Sequence, residues 1–136
     1  MQAAGHSLAP LGAFVLTLAA ATYLAGCAHA PDRIEVRETA NAARNGVAAV
    51  VHALRALDPT VIAVCANAMD GAEARACGAA NAALRYGQHM TDAAYLAIDT
   101  YDRLGVGMAA MNRAVDAARE ARASAEAAVD ALRGVP

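Results

Sequence analysis

At 136 residues and a formal net charge of −2, the chain has room for one domain, and it shows no basic face of the kind that holds nucleic acid. Alanine is by far the commonest residue, every basic side chain is arginine, and there is no tryptophan. Alanine is the strongest helix former, while the β-branched and aromatic residues that strands favour are thin and scattered, so the composition points to an all-α fold.

The first 26 residues hold no Asp, Glu, Lys or Arg, and every formally charged side chain lies from Asp32 onward. Within them "LAPLGAFVLTLAAATYLAG", residues 8–26, is apolar over about 17 positions, which suits the h-region of a signal peptide or a span at the short end of what crosses a bilayer. A buried core helix would carry polar residues on one side. A charge-free block abutting a charged one instead predicts export. The residues ahead of the run, "MQAAGHS", contain no Lys or Arg, where such signals usually carry at least one, so either the amino terminus and His6 serve instead or the true start lies upstream.

The run ends in "LAGC", and Leu24, Ala25, Gly26 and Cys27 resemble the lipobox of bacterial lipoproteins. The resemblance implies that the Cys27 thiol receives a diacylglyceryl group and that signal peptidase II cuts between Gly26 and Cys27. It further implies that Cys27 becomes the acylated first residue of the mature protein. Small side chains before the cut let a peptidase admit an extended backbone. Ala28 stands where the family's inner-membrane retention signal has Asp, which implies the periplasmic leaflet of the outer membrane. Residues 1–26 then form the signal peptide, 27–31 a lipidated cysteine and short tether, and 32–136 the working domain.

"AHAP", residues 28–31, leads directly into a helix with Asp32 at its acidic first turn. Val36, Ala40, Ala43, Val47, Val50, Leu54 and Leu57 recur at spacings of three and four as one apolar stripe, with Arg37, Glu38, Arg44 and Arg55 off it. Pro59 disfavours helical geometry at Asp58, so this helix is expected to stop at Leu57, and Asp58-Pro59 reads as the N-cap and first position of another. That next element, "PTVIAVCANAM", is almost wholly apolar and is expected to be covered on most sides. Asp70-Gly71 marks a turn. A long amphipathic stretch follows over 72–104, weakened at Gly78 and Gly87.

"GVG", residues 105–107, is the last expected break, although the apolar phase can also be followed backward through Leu104, Tyr101, Ala97, Ala94 and Met90 as one unbroken helix. Beyond it Met108, Met111, Val115, Ala118, Ala121, Ala125, Val129 and Leu132 form the clearest stripe, ended by Gly134 and Pro136. These elements predict an antiparallel bundle of three to four helices after the N-terminal h-region helix, with a core dominated by alanine.

Cys65 and Cys77 stand six residues either side of Gly71. If Asp70-Gly71 bends a helical hairpin, the two thiols face each other at matching heights, and an exported protein would join them as a disulfide. No catalytic constellation stands out, and no enzyme activity or cofactor is expected. Asp92, Tyr95, Asp99 and Asp102 share one helical face, so Tyr95, Asp99 and Asp102 are the candidate binding face for a ligand or partner; the plainer alternative is a solvated face with tyrosine rings packed at its rim. His52 and His89 have no second His or Cys at ligand spacing, and Met90, Met108 and Met111 fall on the apolar stripe, so no metal is expected.

The run "YLAIDTYDRL…GVG…AAMNRAVDAAREA" is similar in composition to alanine-rich helical lipoproteins of phages and prophages. The reading as a whole is a membrane-anchored periplasmic lipoprotein acting as a structural or protein-interaction module. Its partners would be membrane lipid through Cys27 and an envelope protein or a second copy. The alternatives are a small-ligand-binding module on the Tyr/Asp face and a phage-encoded envelope or lysis-associated lipoprotein.

Overall fold

The computed structural model describes residues 32–68 and 71–134. The leader, the LAGC motif with Cys27, the tether, Asp70 of the first turn and the terminal Pro136 lie outside the described residues. Among those described, the chain forms three helices and no strands: α1 (Arg33–Cys65), α2 (Gly71–Leu104) and α3 (Met108–Arg133). Short connections make successive helices antiparallel, and each helix packs on both others, giving a three-helix bundle.

Helix α1 corrects one expectation. It does not stop at Leu57 but runs through Asp58 and Pro59 to Cys65. Proline lacks an N–H, which leaves the Arg55 carbonyl without its helical donor. Arg55 and Pro59 are both exposed, so water can serve that carbonyl. On the opposite side Val61 is buried, and beyond it Cys65 is joined to Cys77, across a Cα–Cα distance of 5.7 Å. Burial of one valine is worth about 1.5–3 kcal/mol, comparable with the roughly 3 kcal/mol that an interior proline costs. Nor is this segment covered on most sides: Val61 is buried and Val64 half-buried, but Ile62 and Ala63 face solvent. One 18-residue window of α1 has a mean hydropathy of 1.6, long and apolar enough to cross a membrane by length and composition alone.

The stripe on α1 is otherwise as the spacing predicts, with Val36, Ala40, Val47, Val50 and Leu54 buried and Ala43 and Leu57 half-buried. On α3 every stripe position from Met111 to Leu132 is buried, and Met108, the first helical residue, is exposed. The α2–α3 connection is a turn rather than a continuous helix. Gly105 (φ +68°) donates its N–H to the Tyr101 carbonyl at 2.8 Å. The Gly107 carbonyl (φ +88°) accepts from the N–H groups of Ala110 and Met111, each at 2.9 Å. Both φ values lie in the left-handed region that glycine enters without steric cost.

The core has two halves. One gathers Val36, Val47, Ile98, Tyr101, Met111 and Val115 near the α2–α3 turn. The other gathers Leu54, Val61, Cys77, Leu84, Val129 and Leu132 near the disulfide. Between them Gly87, Thr91 and Ala121 are buried, and their small size lets the helices approach closely. Thr91, a buried polar residue, donates its hydroxyl hydrogen to the Gln88 carbonyl at 2.7 Å, so its polarity is satisfied within the helix.

Candidate functional site

The Tyr/Asp face of α2 divides into two environments. Asp99 and Asp102 both turn to α1, where Arg44 Nη2 donates to Asp99 Oδ1 at 3.1 Å and to Asp102 Oδ2 at 2.7 Å. Arg44 Nη1 donates to Asn41 Oδ1 at 3.2 Å, and Arg103 Nη2 to Asp99 Oδ2 at 2.9 Å. The hydrogen bond from Arg44 holds the Asp99 carboxyl below the usual carboxylate range, against a smaller opposing effect of desolvation. The same bonds, first from Asp102 and then from Asp99, raise the Arg44 guanidinium above its ordinary value. Nearby, Arg33 Nη1 donates to the carbonyls of Asp102 (3.1 Å) and Arg103 (3.2 Å). Those are among the last carbonyls of α2, which have no intrahelical donor, and a cation there suits the negative end of the helix dipole.

This cluster clasps the start of α1 to the end of α2. Both carboxylates are engaged by arginines of the chain itself. Arg44 does not lie off the stripe, as the sequence reading had it, but is half-buried. The signal was present in the spacing: Arg44 stands four residues after Ala40 and three before Val47, both buried. A long arginine there buries its stem and reaches sideways with its head.

Tyr95 and Asp92 occupy the second environment, an open groove of about 510 Å³ between α1 and α2 whose other polar walls are His52, Arg55, Asp58 and Gln88. Asp99 and Asp102 do not line it, so the structure does not bring Tyr95, Asp99 and Asp102 together on one cavity. Tyr101 lies off this face and is fully buried, in the core half beside Ile98 and Met111. It continues the apolar phase that runs from Met90 through Ala94 and Ala97, which is why it packs inward. Tyr86 is exposed and shares a shallow surface depression with His89.

A second cleft, about 890 Å³ and also open, lies beside the clasp, lined by Arg33, Ile34, Arg37, Glu38, Asp102 and Arg103. Among the described residues no three His, Cys, Asp or Glu side chains gather as metal ligands. Among them, too, no buried side-chain nitrogen or oxygen lacks a hydrogen-bond partner. The arrangement holds helices together by charge and leaves polar grooves on the surface. The α3 stripe, which would have offered a partner-binding face had it been exposed, is covered within the bundle from Met111 onward. No protein-family model, curated protein or solved structure matches the chain.

Proposed function

We propose that the protein is a lipid-anchored protein of a bacterial cell envelope, whose three-helix domain serves as a structural or protein-interaction module without catalysis. The observation that carries this reading is the charge-free apolar run ending in LAGC, with the first helical residue, Arg33, only six positions after Cys27. The cysteine pairing supports it, since a disulfide persists in an oxidising compartment and is rare in a reducing one. Open grooves and internally paired carboxylates favour contact with a broad surface over enclosure of a small molecule. The partner is an envelope protein or a second copy of the chain, and Ala28 favours the outer membrane.

Metabolic labelling with an alkyne fatty acid tests the anchor. Wild type incorporates label, Cys27→Ser does not, and inhibition of signal peptidase II accumulates a longer precursor. An unlabelled chain that keeps its first 26 residues would refute the reading and make the apolar run a membrane helix. Cross-linking in intact envelopes then tests the module: a discrete adduct is expected, and none at any cross-linker length would count against an interaction role.

A further inference from the structure

The α2–α3 turn and the start of α1 lie side by side. Arg33 binds the Asp102 and Arg103 carbonyls, and a Cβ added at Gly105 would lie 3.8 Å from Val36 Cγ2. At this end Leu104, Val106 and Met108 expose 66%, 61% and 45% of their surface. Gly105 and Gly107 meet the backbone needs of the turn, so nothing in its geometry requires large apolar side chains at the positions between and around them. Three such side chains exposed within five residues mark a contact surface.

What covers them is indicated by the length of chain outside the described residues. Between Cys27 and Arg33 stand five residues, which span at most about 18 Å fully extended. The bundle is far longer, since the 34 residues of α2 rise about 51 Å. An acyl chain on Cys27 therefore holds the end with the α2–α3 turn within the tether's reach of the bilayer, whereas the disulfide end meets the bilayer only if the bundle lies flat on it.

We propose that Leu104, Val106 and Met108 insert into the interfacial region of the bilayer that holds the anchor, an inference that rests on the lipid-anchor reading above. Arg37 and Arg103 line the adjoining cleft, which this insertion would bring to the level of the lipid phosphates. Glu38 and Asp102 share that cleft, so apolar insertion leads and charge assists. The contact can be weak, because a short tether supplies an effective concentration in the millimolar range. The domain then stands upright on the membrane and presents the grooves along α1 and α2 sideways.

The test uses the mature lipidated chain, from Cys27 to Pro136, in vesicles of phosphatidylethanolamine with a minority of phosphatidylglycerol and of spin-labelled phosphatidylcholine. A fluorophore is attached to Val106→Cys in one sample and to Ala131→Cys, exposed near the far end of α3, in another. Both sites are exposed, so neither change disturbs the core. The expected result is several-fold stronger quenching at position 106 than at 131, with a blue-shifted emission at 106 alone. Equal weak quenching on chains that remain vesicle-bound would overturn the membrane contact and leave the anchor standing. A blue shift at 106 without lipid quenching would overturn it in favour of a second copy covering this end. Chains that float free of the vesicles, with no acyl group on Cys27, would overturn the anchor and the contact together.

Discussion

An added Cβ at Gly87 would lie 2.9 Å from both terminal carbons of Leu54, a buried side chain, whereas at Gly78 it would meet nothing within 4 Å. Replacing a helix-interior glycine by alanine gains roughly 0.5–1 kcal/mol of backbone entropy, while overpacking a core costs about 1–3 kcal/mol. Gly78→Ala should therefore stabilise the bundle by about 0.5–1 kcal/mol, and Gly87→Ala should destabilise it by about 1 kcal/mol net. Urea denaturation of the two variants checks the opposite signs. The Arg44 clasp sets a pH dependence. Because Arg44 holds Asp99 below its unfolded value, the stabilisation is complete at neutral pH and is lost as pH falls through the carboxylate range. Arg44→Met should melt earlier than wild type at pH 7, and the difference should shrink toward pH 3, which thermal melts across that range would show.

Pro59 inside α1 and the bond that follows it make predictions at the level of the helices. Pro59→Ala restores an N–H for the Arg55 carbonyl and should raise stability by up to about 3 kcal/mol, read as a higher urea midpoint. Cys65 and Cys77 are 12 residues apart, a short loop for which closure contributes about 3 kcal/mol by the chain-entropy estimate. Reduction should cost that much, and hydrogen exchange should quicken first at the disulfide end, around Val61 and Leu84, before reaching Ile98. The stripes on α1 and α3 could be read from the sequence because a helix repeats every 3.6 residues and the bundle buries one side of each. The glycine turn was legible for a different local reason, since two glycines in three residues can both enter the left-handed region that the turn uses. The continuation through Pro59 was not, since what offsets the missing hydrogen bond is packing against residues distant in sequence. The clasp was legible only in part: the spacing of Arg44 from Ala40 and Val47 turns it inward, but it meets Asp99 and Asp102 only once the register of α1 on α2 is set.

Across the whole molecule, the core is filled by few large side chains, chiefly Tyr101, Ile98, Met111 and Leu132, with alanine and valine between them. Alanine buries little area, and at roughly 25 cal/mol per Å² the bundle gains modestly from it. Stability then leans on features at the two ends, the disulfide at one and the charged clasp at the other. The proposed function gives this domain a fixed position on a membrane surface. The central claim is that this position is set by acylation of Cys27, and the intact mass of the chain extracted from membranes tests it most directly. The account predicts a mature protein that begins at Cys27, heavier than the sequence from that residue by its acyl groups and retaining the Cys65–Cys77 bond. A mass that includes residues 1–26, or one that begins elsewhere without lipid, would contradict it.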